Sequence, residues 1–272
     1  MIDRHDLGRP AFAISAVFLG IIGVWWRDFA GVWQPLDNLG ITFDRPIVGT
    51  GYAIAFLLAG AATLWRASAG VGLIALALLH CLAMLGWIPR VVAHGAWTGF
   101  FEMFSLTIAG VVGFASLKST TSTAAERMVD IGRILFSICL LVFGLSHFFY
   151  SNETAQMVSA WLPPRQLFWA YITGALYVLA GVAMAVRVRA VLAARLTVVM
   201  MALIDALVWL PMLIAKPEHF TWSGNAITLA MAAATWLVAD AVAARESLGS
   251  QPFQIPNTMP EGSSIEIRSG RV

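Results

Sequence analysis

Eight apolar stretches divide the chain, at roughly 10–26, 46–65, 69–88, 97–116, 132–150, 165–186, 192–214 and 222–243. Each is near the ~20 residues that cross a hydrocarbon core as a helix. No other feature limits the fold so strongly. Inside lipid a backbone must satisfy its own hydrogen bonds, which leaves helices or closed barrels. These runs lack the alternation of barrel strands, so the expectation is an all-α polytopic membrane protein. Composition agrees: 59% of the 272 residues are hydrophobic and 12% charged, about half the charge of a soluble domain. The net charge of +2 gives no basis for nucleic-acid binding.

Local signals set the expected boundaries. Pro10, Pro46 and Pro164 stand where a helix can begin without the missing N–H. Pro89 and Pro211 are expected to stop the third and seventh helices. Thr123 and Glu126 have capping-box spacing, so the fifth helix is expected to begin before it reaches lipid. From about residue 246 the chain is rich in Ser, Gly and Pro and reads as a disordered tail. The N-terminal run leads into Trp25, Trp26 and Arg27 rather than a small-residue cleavage site, and reads as an uncleaved first span.

The basic residues orient the bundle. Of the 17 Lys and Arg, only Arg27, Arg45, Arg90, Arg165 and Lys216 fall on one side. By the positive-inside rule the other twelve mark the cytoplasm, with both termini there. The five lie at the end that also carries Trp25, Trp26, Trp33, Trp87, Trp97, Trp161, Trp169, Trp209 and Trp222; Trp65 and Trp236 lie toward the other end. A Trp–x–Pro pattern recurs four times at this Trp-rich end, at Trp33, Trp87, Trp161 and Trp209. An aromatic belt forms at both interfaces, so the excess on one side points to an outward aromatic cavity or docking surface, with heavier anchoring as the plainer reading.

Matches recur at ordered positions. Gly8-Arg9 parallels Gly132-Arg133, Gly20 parallels Gly144, and Ala59-Gly60 parallels Ala180-Gly181. Trp87-Ile88-Pro89 parallels Trp209-Leu210-Pro211, and Trp97-Thr98-Gly99 parallels Trp222-Ser223-Gly224. We read two four-helix repeats, 1–117 and 132–244, with a linker at 118–131 and a tail at 245–272. Four spans per repeat put both in the same orientation, related by an axis along the membrane normal.

The second half carries Gly132-Arg133-Ile134-Leu135-Phe136, then Gly144-Leu145-Ser146-His147-Phe148-Phe149. Further on come Trp161-Leu162-Pro163-Pro164, Gly174, Leu179-Ala180-Gly181-Val182 and Trp209-Leu210-Pro211. Over about 131–243 this resembles DoxX-like membrane proteins, and the first half resembles them more loosely. The resemblance implies a four-helix membrane bundle, here doubled, in a group mostly of unknown function; one branch is similar to a subunit of thiosulfate:quinone oxidoreductases, and a more distant relative matures methylamine dehydrogenase. It supplies no active-site residues. The expected location is a bacterial inner (plasma) membrane.

Polar groups at membrane depth are the candidates for function. Asp205 lies mid-span in the seventh run, at a cost of ~2.5–3.5 kcal/mol for a charge there on insertion scales. It must be protonated, hydrogen-bonded or beside a water-filled cavity. His80 lies in the third run, about one helical turn away in depth, and the two could meet as a proton relay, a quinone-binding pair or a packing pair. His147 sits among Phe148, Phe149 and Tyr150, neighbours that suit a flat ligand or an interfacial anchor. Glu102, ~7.5 Å into the fourth run by helical rise, and Asn225 could line an outward cavity with Trp87, Trp97, Trp209 and Trp222. His94 and His219 read as solvated loop residues.

His80 and His147 lie at unmatched depths, which disfavours a bis-His haem. No metal-ligand spacing occurs, and Cys81 and Cys139 form no CxxC pair. Three functions stay open: a quinone-linked subunit fed by an outer partner, a non-catalytic scaffold or assembly factor docking a protein through the Trp-rich loops, and a small-solute or proton-coupled transporter. Against the last, the sequence shows no helix broken by Gly or Pro at mid-membrane.

Overall fold

The computed structural model describes residues 6–36, 43–118 and 122–249. Among them lie eight helices long and apolar enough to cross a membrane, and no strand. They are α1 (Gly8–Trp26), α2 (Arg45–Leu64), α3 (Ala69–His94), α4 (Trp97–Ser116), α5 (Thr123–Phe149), α6 (Gln166–Ala185), α7 (Ala190–Ala215) and α8 (His219–Gly249). Short helices Trp33–Leu36 and Ser151–Met157 lie in the loops after α1 and α5. The chain is an integral membrane protein by the length and apolarity of these helices.

The packing runs in the same order in each half. α1 lies on α2 and α5 on α6; α3 lies on α4 and α7 on α8. Between the halves, α1 packs on α8, α4 on α5, and α4 on α8. Small residues let these helices approach closely, since lipid provides no hydrophobic drive between them. A Cβ on Gly20 would stand 2.8 Å from the Ala53 carbonyl oxygen, and one on Gly144 2.7 Å from that of Gly174. The Trp87 ring covers Gly99, and the Trp209 ring covers Gly224.

The paired arginines have a shared task. Arg9 donates to the Thr63 carbonyl at 2.8 Å. Arg133, 5% exposed, donates to the carbonyls of Met184 and Ala185. The last carbonyls of a helix have no partner within it, and a cation there also meets the negative end of the helix dipole. Arg9 therefore ties the start of α1 to the end of α2, and Arg133, ten residues past the start of α5, holds the end of α6.

Several boundaries differ from expectation. The α5 cap is Ser122, whose hydroxyl accepts from the Ala125 amide, so Thr123 is already the first helical residue; Glu126 pairs with Arg245 at 3.3 Å instead of closing a box. The expected linker is thus largely the first turns of α5. α8 continues to Gly249, and the rest of the expected tail lies outside the described residues. Pro89 does not end α3, which runs on to His94. A proline removes a bond from the turn before it and leaves the turn after it intact. The stop is Gly95, left-handed at φ 65°.

α7 also passes its proline, by widening. Residues Asp205–Trp209 form a π-helical turn, with the Leu210 amide reaching back to the Asp205 carbonyl. Pro211 would leave the Leu207 carbonyl, four residues earlier, without its donor. The Ser159 hydroxyl, from the loop after α5, donates to that carbonyl at 3.1 Å. The seventh span is therefore interrupted after all, at Asp205, by a π turn rather than by a Gly or Pro break.

Candidate functional site

Two cavities lie mainly against one half each, and they are very unequal; each also takes lining from the other half, Ile227 in the first and Thr98 and Glu102 in the second. The first is about 10 Å³ and is lined by Gly23, Tyr52, Phe56, His80, Met103 and Ile227 among others. The second is about 1010 Å³. It runs from Glu153 and Thr154, at the Trp-rich end, along the gap between α6 and α7 to Val188 and Arg189. Its walls are mainly aliphatic, with Leu176, Leu179, Leu196, Val199, Met200 and Leu203 among them.

A polar cluster interrupts these walls. Glu102 comes from α4, His147 from α5, and Thr173 and Tyr177 from α6; all line the cavity. The Tyr177 ring lies against His147 at 5.4 Å between centroids and against Phe143 at 6.0 Å. His147 Nδ1 lies 2.7 Å from the Phe143 carbonyl oxygen. A carbonyl oxygen only accepts, so Nδ1 carries the proton, and in the neutral ring Nε2 is left as an acceptor. The Glu102 carboxylate has no hydrogen-bond or ion-pair partner among the described residues. The cluster thus offers acceptor and donor groups to an occupant of an otherwise apolar space.

The other expected residues divide. His80 and Asp205 do not pair. His80 is 1% exposed; its Nδ1 donates to the Leu76 carbonyl, and its ring packs against Phe12 and Phe56. It belongs to the first cavity, where its buried Nε2 has no protein partner. Asp205 faces α8 instead and accepts from the Asn225 amide at 3.0 Å. Both members of that pair are buried, and they join α7 to α8 at the π turn beside the large cavity. Similar depth in two helices of different halves did not bring the side chains together, because each helix turns its polar group toward its own half.

The tryptophans were expected to wall the cavity, and of the four named only Trp209 does. Trp87 is buried on Gly99, Trp222 lies against Phe18, and Trp97 is half exposed. Trp169 lines the cavity and donates to the Pro163 carbonyl at 2.9 Å. His219 is not solvated: as the first residue of α8 it joins the Asp28–Arg45 ion pair, with Trp26 stacked on its ring at 5.3 Å. Among the described residues no group of His, Cys, Asp and Glu could hold a metal.

Reasoning from sequence missed Tyr177 and Thr173. Both lie in an apolar run and carry no charge to mark them. The signal was in the aligned halves: at the offset that matches Ala59-Gly60 with Ala180-Gly181, Tyr177 stands where the first half has Phe56, and Thr173 where it has Tyr52.

No family model matches this chain, and no curated protein or solved structure does either.

Proposed function

We propose that this chain binds a membrane-soluble amphiphile of the quinone class in the cavity of its second half. The observation that carries the reading is the convergence of Glu102, His147 and Tyr177, from three helices, on a large space with aliphatic walls. A quinone needs hydrogen-bond donors at its carbonyls, and its reduced form needs acceptors at its hydroxyls. Tyr177 and a protonated Glu102 supply the first; His147 Nε2 supplies the second. Phe143 and Tyr177 offer ring faces for a flat headgroup.

The DoxX-like resemblance supports the same reading, as does the doubled four-helix plan. On that plan the two halves arose by duplication, both termini are cytoplasmic by the positive-inside rule, and the Trp-rich end faces outward in a bacterial inner membrane. Electrons would come from a protein partner docked there, where Trp25 and Phe149 are 80% exposed and Trp161 65%. The test is extraction of lipids from protein purified in mild detergent. Quinone should copurify with the native chain and fall at least tenfold in Glu102→Leu and in Tyr177→Phe. A native chain that carries no quinone and binds none when it is added refutes the proposal.

The transport reading gains one observation. The cavity runs between opposite ends of α6 and α7, and α7 is interrupted beside it. π turns often occur where a helix serves a function. Uptake into vesicles that depends on Asp205 would favour transport; uptake unchanged in Asp205→Asn would remove its best support.

A further inference from the structure

The cavity has a roof and an open flank. At the Trp-rich end it is covered by the helix Ser151–Met157 and the loop that follows, which contribute Glu153, Thr154, Met157, Val158 and Leu162 to its lining. This cover is tied down at both ends of the loop. Ser159 holds the π turn of α7 through the Leu207 carbonyl. Gln166 donates to the Val158 carbonyl, and Trp169 to that of Pro163. The backbone groups that water would otherwise satisfy in a loose loop are thus taken up by the cover's own neighbours.

The flank between α6 and α7 is the reverse. α7 is the least buried of the eight spans, at 11% of its apolar stretch, against 39% for α3. Residues that line the cavity are also exposed on the outside of the bundle: Leu179 is 65% exposed, Leu196 60%, Val199 56% and Leu203 53%. A closed pocket would bury its lining. These side chains instead form the lips of a slot, and the slot opens on an apolar surface of a membrane-embedded helix pair. From Tyr177 to the end of α6 at Ala185 the slot extends ~12 Å by helical rise below the polar cluster.

We infer that the ligand reaches the Glu102–His147–Tyr177 cluster sideways from the bilayer, through the slot between α6 and α7, and that it carries a long hydrocarbon tail which stays in that slot. The inference rests on the quinone-class reading of the same cavity. Moving a tail from lipid into an aliphatic slot changes its surroundings little, so the tail acts mainly by keeping the headgroup in the bilayer at the height of the lips. A headgroup without a tail meets the latched cover instead.

The experiment uses the full chain in lipid nanodiscs and two photoreactive benzoquinone probes, one with a prenyl tail and one without. The tailed probe should label the native chain at least tenfold more than the tail-free probe at equal total concentration. Leu196→Trp combined with Ala183→Trp narrows the slot at its lips and should cut tailed labelling at least tenfold. Leu78→Trp, at a 61% exposed position on α3, controls for a tryptophan on the outer apolar surface and should label like the native chain. Equal labelling by both probes overturns sideways access while leaving the headgroup site standing. Native labelling of the lip variant overturns the slot as the route. Labelling by neither probe overturns the inference together with the reading on which it rests.

Discussion

The cavity beside His80 in the first half holds about 10 Å³, and the one beside Tyr177 in the second about 1010 Å³. The comparison is informative because the surrounding packing is so alike. Trp87 covers Gly99 as Trp209 covers Gly224, and Arg9 reaches Thr63 as Arg133 reaches Met184. What differs is the residues turned inward. At the offsets of the paired sequences, Gly23 becomes His147, Phe56 becomes Tyr177, Tyr52 becomes Thr173, Met103 becomes Thr228, and Ile227 becomes Glu102. The second half turns polar groups inward where the first turns mainly apolar ones, and its α7 is less buried than α3. Around these positions one half is filled by its own side chains, and the other leaves a large cavity with polar groups in its wall.

If the halves share a scaffold, equivalent changes should cost alike. Gly99→Leu and Gly224→Leu each drive a side chain into a tryptophan ring. Each should destabilise by ~3 kcal/mol, at the upper end of overpacking penalties, read by unfolding in detergent. A large cost at one site and none at the other would break the comparison. Arg9→Met and Arg133→Met should come next, at ~1–3 kcal/mol each, because helix-end carbonyls, one at Arg9 and two at Arg133, lose a charged donor. The Arg133 change should cost more, as that side chain is more buried and holds two carbonyls. Ser159→Ala touches a contact that only the second half needs. It should cost ~0.6 kcal/mol, the usual scale of a hydrogen bond between membrane helices, and raise amide exchange across 205–210 with little change in α3.

The architecture was legible because its signals are long. Runs near 20 apolar residues mark spans whatever their neighbours do, and all eight formed. Helix ends were less legible. Pro89 and Pro211 read as stops, yet each helix continued, through an intact following turn in one case and a π turn with a borrowed hydroxyl in the other. That hydroxyl belongs to Ser159, which nothing in the local sequence connects to Leu207. The site was half legible. Glu102 and His147 stood out as polar groups in apolar runs, but Tyr177 hid among aromatics, and depth alone wrongly suggested that His80 and Asp205 could meet. Which way a side chain faces depends on the rotation of its helix, and that is set by packing over the whole bundle. The four Trp–x–Pro corners also have separate fates: Trp87 is a buried plug, Trp209 plugs and lines the cavity, Trp161 is exposed, and the Trp33 side chain lies outside the described residues.

Whether the second half holds a ligand where the first half holds its own side chains is tested by giving one half the other's residues. Glu102→Ile with Thr228→Met installs the first half's filling in the second. Native mass spectrometry after addition of a prenylated quinone measures the outcome. The native chain should carry one quinone, and the double variant, folded and at least as heat-stable, should carry none. A double variant that still binds one quinone with native affinity would show that the ligand does not sit at these residues.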